Sequence, residues 1–251
     1  DGAFAFAIWD EEAQTLFAAR DRFGEKPFYF STNEESFVFA SEMKALWQLG
    51  LPKDVNRGML YNFLTIGYTT NPSDPSETFY NNIFKLPAAH CLTYSLTTGE
   101  LVTERYWQTY VEVNTRISEA DAIETFTELF RDSIQIRLRS DVPIGTSLSG
   151  GLDSSSIVAF CAEENAAQYT HNCFTASFPG FAKDETAQAA LVAKTFGLHH
   201  YTTTVTEQEV PGLMEKLATH QEEPFLSASV LAQYKVFEEA KRQGATVMLD
   251  G

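Results

Sequence analysis

The sequence predicts an α/β protein in two parts, an antiparallel sheet followed by a doubly wound parallel sheet. In the first part, short apolar runs are separated by turn residues, which is typical of an antiparallel meander. In the second part, strand-like runs alternate with amphipathic helical runs, an order that requires parallel strands joined by helical crossovers. A glycine- and serine-rich turn near residue 150 joins one of these strands to the next helix.

The first hundred residues are expected to contain short strands and two helices. Ala3 to Trp9 is apolar on both alternating faces, so we expect this strand to be covered on both sides. Ser41 is expected to cap a short helix that packs Leu46 and Trp47 inward. Further strands are expected at 15–20, 28–32 and 37–40, a helix at 56–64 and a loop at 71–76.

The second part begins with a helix that Ser118 caps. Apolar residues follow at steps of three and four: Ile123, Phe126, Phe130, Ile134 and Leu138. After the turn near residue 150, the pattern predicts strands at 172–178, 199–205 and 246–249. It predicts helices at 184–196 and 227–243, and a further helix that begins after the capping box at 206–209.

Composition excludes several classes of function. The formal net charge of −16 argues against a nucleic-acid surface and against binding to anionic membranes. No apolar run approaches the roughly 20 residues that cross a bilayer. Cys91, Cys161 and Cys173 are too scattered for a disulfide framework, which fits a reducing cytoplasm. Because the chain starts at Asp1 with strand-like sequence and stops just after a strand, we expect it to be an internal piece of a longer protein.

The stretch 148–156 reads L-S-G-G-L-D-S-S-S and carries the functional signal. Val142, Ile144 and Leu148 predict a buried strand before it, and a helix follows it. A helix start offers unpaired N–H groups and the positive end of the helix dipole, and Ser149 and Ser154 to Ser156 add hydroxyls, so the turn is expected to bind an anion. It lacks the lysine of a Walker loop and the closing glycine of a nucleophile elbow.

The remaining pattern, S-G-G-x-D-S-S, resembles the PP-loop of the N-type ATP pyrophosphatases, which split ATP between its α and β phosphates. A bare carboxylate beside a triphosphate is repelled, so Asp153 is useful there if Mg²⁺ bridges it to phosphate oxygens. The alternative is an ordinary serine- and glycine-rich turn in which Asp153 is a helix-start residue.

The predicted sheet supports the same site by an independent route. Ligands of doubly wound sheets bind at the carboxyl ends of the strands. Three stretches are expected at that edge: 148–155, 176–180 and 250–251.

Residues 20–29 and 40–46, with 83–90, resemble the later part of the class-II glutamine amidotransferase domain of glutamine-hydrolysing asparagine synthetases. The resemblance implies an Ntn-type sheet remnant with a linker over residues 1–110 and the start of a PP-loop synthetase domain over 117–251. Arg20, Asp21 and Arg22 are expected to form a structural ion-pair turn. Members carry the cysteine nucleophile and the glutamine site before the point where this chain starts, so no glutaminase residue is carried over. Where members have glycine, this chain has Ala89, which predicts a small backbone adjustment.

The resemblance implies conversion of aspartate to asparagine, with ATP and Mg²⁺ as cofactors and glutamine as the nitrogen donor. It implies a β-aspartyl-AMP intermediate, release of AMP and pyrophosphate, and small-molecule partners, and it leaves a homodimer open. Asp153 is the expected catalytic residue and holds Mg²⁺ through ATP. The expected nucleotide contacts are Leu148, Ser149, Gly150, Gly151, Asp153, Ser154, Ser155, Ala176, Asp250 and Gly251. Ala176 stands where members have valine, so the adenine is expected to be covered less tightly.

Two other readings stay open. One is a sister ligase, such as a β-lactam synthetase or an enzyme that amidates a peptide or cell-surface carboxylate, since the acceptor pocket lies after Gly251. The other is a nucleotide-binding remnant without turnover. Outside the PP-loop, His199 and His200 point to opposite strand faces and predict no metal site, and Glu222 and Glu223 are expected to be solvated charges.

Overall fold

A computed structural model describes residues 2–33, 36–164 and 171–250. The chain divides into two compact units. Unit 1 contains Asp1–Glu112 together with Ala218–Leu226, and unit 2 contains Val113–Leu217 together with Ser227–Gly251. A short segment from the second half of the sequence therefore belongs to the unit built from the first half.

Unit 1 is built on antiparallel strands, as predicted. One sheet has the order β1-β2-β6-β7 and a smaller sheet has the order β4-β3-β5. The strands are β1 (Ala5–Asp10), β2 (Thr15–Arg20), β3 (Tyr29–Thr32), β4 (Phe37–Ala40), β5 (Phe84–Lys85), β6 (His90–Ser95) and β7 (Leu101–Arg105), and the helices are α1 (Met43–Gln48) and α2 (Arg57–Ile66).

The core of unit 1 lies between these sheets. Ala18, Phe28, Phe30, Leu92 and Tyr94 are buried together there. The expectation that the first strand is covered on both sides is wrong, because Ile8 and Trp9 point to opposite faces of β1 and are 57% and 43% exposed. An apolar run on both faces predicts a strand but cannot show that a second layer covers it.

The turn after β2 is organised around the carboxylate of Asp21, which is 1% exposed. It accepts hydrogen bonds from the backbone N–H groups of Phe4 (3.3 Å), Phe23 (3.1 Å), Glu25 (2.9 Å) and Lys26 (3.0 Å). Burial alone would raise the pKa of Asp21, but these bonds stabilise the ionised form and lower it. The predicted structural role is confirmed, although the described partners of this carboxylate are backbone groups.

The Arg20 side chain also bonds to the backbone around this turn. Its guanidinium donates to the carbonyl oxygens of Lys26 (2.7 Å), Gly24 (2.7 Å) and Leu86 (2.8 Å). A planar guanidinium suits this arrangement because its five N–H donors point in fixed directions. The two side chains together satisfy backbone donors and acceptors that the tight turn leaves without strand partners.

Helix α1 is not capped by Ser41, which corrects the prediction from sequence. Its first N–H groups, those of Met43 and Lys44, donate to the carboxylate of Glu222 at 2.7 and 2.8 Å. Glu222 is 8% exposed and holds a left-handed φ of 62°. Glu223 beside it accepts a hydrogen bond from the N–H of Phe79 at 2.9 Å. The expectation that this acidic pair is solvated is therefore wrong, because both carboxylates bond to backbone donors of unit 1.

One local prediction for unit 1 agrees with the structure, since the helix expected at 56–64 is α2 (Arg57–Ile66). The side chain of Asn56 caps α2 by accepting from Gly58 N–H (3.0 Å) and Met59 N–H (3.1 Å). Ala89, where the resembling family has glycine, holds a φ of 60°. A left-handed alanine costs roughly 1–2 kcal/mol, which is a physical reason for glycine at this position.

Unit 2 contains the predicted parallel sheet. Its strand order is β10-β9-β8-β11. Strands β9 and β10 follow β8 on one side and β11 lies on its other side, so the direction in which strands are added reverses at β8. The strands are β8 (Ile144–Ser147), β9 (Asn172–Ala176), β10 (His199–Thr203) and β11 (Val247–Leu249), and the helices are α3 (Glu119–Arg137), α4 (Leu152–Glu164), α5 (Thr186–Thr195), α6 (Val210–Gln221) and α7 (Ser229–Arg242). Helix α6 spans the division between the units, whose boundary falls after Leu217.

Helices pack on both faces of this sheet. Cys173 faces a cluster with Val158 of α4 and Ala189 of α5, whereas the next residue, Phe174, faces Val236 and Ala240 of α7. Alternate residues of β9 thus enter two cores, as a doubly wound sheet requires. None of the described helices is both long and apolar enough to span a membrane.

Three side chains of unit 2 are more exposed than their patterns predicted. Val142 is 41% exposed, since β8 begins two residues later. On α3, Ile123 and Phe126 are 60% and 66% exposed, although Ser118 caps this helix as predicted by accepting from Asp121 N–H. Helical periodicity identifies an apolar stripe without showing what covers it.

Candidate functional site

A cleft of about 450 Å³ lies at the carboxyl ends of the parallel strands in unit 2. Its floor is the end of β8 and β9, and its walls are the start of α4, the segment before α5 and one face of α7. This is where ligands bind in doubly wound sheets, beside the strand at which winding reverses. The volume falls within the range of small-molecule sites.

The glycine turn after β8 shapes one wall of the cleft. Leu148 extends the strand by donating its N–H to the carbonyl oxygen of Phe174 at 2.9 Å. Gly150 then adopts a φ of +82°, and a Cβ placed there would lie 2.7 Å from the backbone nitrogen of Ala189. Glycine is required at this position both for the left-handed backbone and for close packing against α5.

Serine hydroxyls brace the turn from inside. The Ser149 and Ser154 hydroxyls lie 2.9 Å apart, and the N–H of Gly151 donates to Ser149 Oγ at 3.1 Å. The hydroxyl of Ser156 donates to the carbonyl oxygen of Leu152, so it does not add a donor to the turn as the sequence suggested. The Ser155 hydroxyl is buried, and no partner for it lies among the described residues. These contacts fix the turn in its shape.

The first turn of α4 presents donors and a carboxylate to the cleft. The N–H of Ser155 makes the first bond of the i to i−4 type, to the carbonyl oxygen of Gly151 at 3.1 Å. The N–H groups of Leu152, Asp153 and Ser154 precede it and lack helical acceptors. Asp153 is exposed and lines the cleft, and its carboxylate makes no hydrogen bond or ion pair with the described residues.

The structure brings most of the predicted site residues together. Those that line the cleft are Leu148, Ser149, Gly151, Asp153, Ser154, Ala176 and Asp250. Gly150 and Ser155 belong to the same turn but do not line it. Gly251 lies outside the described residues.

Several lining residues were missed in the sequence. Ser147 at the end of β8 has a buried hydroxyl for which the described residues provide no partner, so it is a free polar group at the cleft. Gln233 of α7 donates to the Asp250 carboxylate at 3.2 Å. Lys183 and Glu185 line the cleft from the segment before α5. Their spacing carries no motif, and only the strand order could have indicated that this segment lies at the same edge.

Two hydrogen bonds beneath the glycine turn, made by Thr175 and His200, support its backbone. The Thr175 hydroxyl donates to the carbonyl oxygen of Leu148 at 2.5 Å, and His200 Nε2 lies 2.7 Å from the same hydroxyl oxygen. Because that hydroxyl has a single proton, the His200 ring donates through Nε2–H. Burial lowers the pKa of His200, which keeps the ring neutral. His199 is exposed, and no cluster of metal-ligating side chains occurs among the described residues.

The cleft fits Mg²⁺ carried by a polyphosphate better than a metal bound by protein alone. Mg²⁺ usually takes one or two carboxylates and completes its shell with water and substrate phosphate. Asp153 provides an unpaired carboxylate at the start of α4, next to backbone donors suited to phosphate oxygens. The unpartnered Ser147 hydroxyl is a further polar group that a ligand would satisfy.

Two family models match different parts of the chain. The family model described as asparagine synthase matches residues 125–251, and the one described as glutamine amidotransferase domain matches residues 1–107. The first match covers the parallel sheet and its cleft, and the second covers the antiparallel strands.

Curated relatives extend over the whole chain. A putative glutamine-hydrolysing asparagine synthetase 2 of Methanocaldococcus jannaschii is 33% identical over 100% of this chain and 48% of its own length. Asparagine synthetase 2 of Bacillus subtilis is 32% identical over 100% of this chain and 35% of its own length. Amidase chry2 of Gibberella zeae is 27% identical over 100% of this chain and 38% of its own length.

The chain thus spans about half, or less, of the length of these relatives. The matches to the first two extend over both units. With a synthase family model over the cleft and an amidotransferase model over the antiparallel strands, the chain belongs to the glutamine-hydrolysing asparagine synthetase family.

Proposed function

We propose that the protein carrying this chain converts aspartate to asparagine, using ATP and ammonia released from glutamine. In the first step, an oxygen of the aspartate side-chain carboxylate forms a bond to the α-phosphorus, and the bond between this phosphorus and the bridging oxygen to the β-phosphate breaks. Pyrophosphate leaves and β-aspartyl-AMP remains. In the second step, ammonia attacks the acyl carbon, AMP leaves and one proton is lost.

The chain's own part is to hold the triphosphate and stabilise the departing pyrophosphate. In this proposal the N–H groups at the start of α4 and the hydroxyl of Ser149 face the β- and γ-phosphate oxygens. Leu148, Ala176 and the backbone at Asp250 surround the adenosine, and the contact expected from Gly251 falls outside the described residues. Mg²⁺, when bound, neutralises the phosphate charge that grows as pyrophosphate departs.

Asp153 is the proposed catalytic residue, and one observation carries this role. Its carboxylate lies in the cleft and has no partner among the described residues, although ionised carboxylates next to phosphate are repelled unless a cation intervenes. Asp153 would hold a magnesium ion here, whose charge would remove that conflict. A passive nucleotide holder gains nothing from a carboxylate at this position, which argues against a remnant without turnover.

The proposal also covers the organisation of the complete protein. Residues 1–110 are taken as the later part of the glutaminase domain with its linker, and 117–251 as the start of the synthetase domain. The glutaminase nucleophile is then supplied outside this chain, so the 251 residues alone should release no ammonia from glutamine.

The buried thiols of Cys161 and Cys173 fit a reducing cytoplasm.

The direct test follows oxygen atoms in the full-length protein. Aspartate labelled with oxygen-18 in its side-chain carboxylate should pass one labelled oxygen to the phosphate of AMP, and asparagine should form in equal amount. Mass spectrometry of AMP measures the transfer. AMP without label would exclude attack by the carboxylate on the α-phosphate.

A second candidate is amidation of a different carboxylate on the same scaffold. Its support is that the relative named amidase chry2 covers the whole chain at 27% identity, so a family member has a name other than asparagine synthetase. The two candidates differ in the acceptor alone. Pyrophosphate release that depends on another carboxylic acid and not on aspartate would favour the second.

A further inference from the structure

The charges that line the cleft do not by themselves suit a polyphosphate. Asp153, Glu185 and Asp250 contribute carboxylates, and Lys183 is the one lysine or arginine among the described residues that line it. ATP brings several negative charges of its own. A single magnesium ion at Asp153 offsets part of this charge, so the remaining phosphate oxygens need another cation.

Lys183 is available for that purpose. Its side chain is exposed, and it forms no ion pair or hydrogen bond with the described residues. Among the carboxylates that line the cleft, that of Asp250 accepts a hydrogen bond from Gln233 at 3.2 Å. The Lys183 ammonium pairs with none of these carboxylates and is therefore free to contact a ligand.

The segment that carries Lys183 is held in place by the next residue. One oxygen of Asp184 accepts from the N–H of Phe178 at 2.8 Å and from the hydroxyl of Thr186 at 2.7 Å. The N–H of Asp184 donates to the carbonyl oxygen of Phe181 at 3.0 Å. The bond from the Phe178 N–H and, after it, the bond from the Thr186 hydroxyl lower the pKa of Asp184, because both stabilise its ionised form.

We infer that Lys183 binds the phosphate oxygens of ATP and supplies the cation that a Walker loop carries within its own sequence. The inference rests on the proposed function, since it uses the same cleft and the same substrate. Lys183 arrives from the segment between β9 and α5 and not from the glycine turn. Asp184 is a positioning residue, because it acts through the turn that holds Lys183.

The test measures binding of magnesium-ATP and of adenosine to the full-length protein by calorimetry. Lys183→Met should weaken magnesium-ATP binding by about tenfold or more, the scale of one charge-assisted hydrogen bond, and should leave adenosine binding unchanged. Lys183→Arg should retain most of the affinity. Lys194→Met is the matched control, because Lys194 is exposed on α5 and does not line the cleft.

Two results would overturn the inference. Lys183→Met could bind magnesium-ATP as tightly as the unaltered protein, or it could lose affinity for adenosine by the same factor as for ATP. The second result would mean that the substitution disturbs the cleft and not a phosphate contact. Salt provides another readout, since raising the ionic strength should weaken ATP binding less in Lys183→Met than in the unaltered protein.

Failure of this inference can be told apart from failure of the proposed function. Pyrophosphate release measured in parallel on Asp153→Ala tests the function itself. If Asp153→Ala stops pyrophosphate release while Lys183→Met binds magnesium-ATP normally, the function stands and Lys183 has no role in it.

Discussion

Asp21 directly follows a strand and Asp153 lies in the first turn of the helix after a strand, and their carboxylates differ in burial and in hydrogen bonding. Asp21 is 1% exposed and accepts four backbone N–H groups, whereas Asp153 is exposed at the cleft and has no bonding partner among the described residues. A carboxylate whose acceptor sites are filled by the backbone serves the fold. One that remains unsatisfied beside backbone donors can serve a ligand.

The same contrast separates the other acidic residues. Glu222 caps α1 with both oxygens and Glu223 bonds to Phe79, so these two belong with Asp21. Only the tertiary structure makes this visible, because Glu222 lies 179 residues from Met43 in the sequence. The following substitutions test the contrast in order of decreasing effect.

Asp21→Asn should cause the largest loss of stability. An amide keeps one acceptor oxygen but turns an NH₂ group toward two of the four N–H donors, so two bonds to a charged group are lost, at about 1.5–3 kcal/mol each. Urea unfolding followed by tryptophan fluorescence measures this, since Trp9, Trp47 and Trp107 all lie in unit 1.

Asp10→Asn is the control for that experiment, because its exposed carboxylate accepts a single described N–H, that of Ala13. An equal loss of stability in the two variants would contradict the distinction between buried and exposed carboxylates. The pKa of Asp21 is lowered, so its stabilisation is present above the ordinary value of 3.8 and is lost as the pH falls below it through the folded-state value.

Gly150→Ala should destabilise unit 2 by at least about 2 kcal/mol, through the left-handed φ and the approach of its Cβ to Ala189. Gly151→Ala is the matched variant, because its Cβ would meet only Ser149 Oγ at 3.2 Å. Hydrogen exchange across α4 and α5 should increase in the first variant and stay unchanged in the second. Increased exchange in both would show that the turn needs glycine at each position.

Glu223→Gln should change the free energy of unfolding least, and it should raise it near neutral pH where the other substitutions lower it. Burial raises the pKa of Glu223, while the Phe79 N–H and Lys85 offset part of this shift and Glu222 adds to it. Because the folded protein then holds a proton that the unfolded chain releases, stability declines as the pH rises from 4.5 through the raised value.

A glutamine side chain cannot bind or release this proton, and it keeps an oxygen that accepts the hydrogen bond from the Phe79 N–H. Urea midpoints measured from about pH 4 to 8 should therefore converge at low pH and favour Glu223→Gln near neutral pH. Glu100→Gln, at an exposed carboxylate, controls for the change of net charge. Parallel curves for Glu223→Gln and the unaltered chain would contradict the assignment.

Local patterns predicted the elements well and the contacts between them poorly. Ser118 and the glycine turn act within four residues of their own position, so sequence alone identifies them. The parallel sheet followed from the alternation of strands and helices. In contrast, the exposure of β1, the cap from Glu222 and the approach of Lys183 and Gln233 to the cleft depend on which distant segments pack together.

Within the site, the sequence located the turn but not its internal bonding. Ser154 and Ser156 were expected to face an anion, yet their hydroxyls bond to Ser149 and to the carbonyl of Leu152. Ser147 had no signal because a serine in an apolar strand is unremarkable until its hydroxyl is seen to be buried without a partner among the described residues.

The central claim is that Asp153 acts on the triphosphate through a cation and has no role in the fold. Pyrophosphate release from ATP in the full-length protein tests it most directly, with Asp153→Ala and the isosteric Asp153→Asn compared with the unaltered enzyme. We expect both variants to lose at least about a hundredfold in rate, the scale of one electrostatic contact to a transition state. Glutamine hydrolysis should stay unchanged, and the free energy of unfolding should fall by no more than about 1 kcal/mol, the scale of one carboxylate at a helix start. Pyrophosphate release at the unaltered rate in either variant would contradict the account.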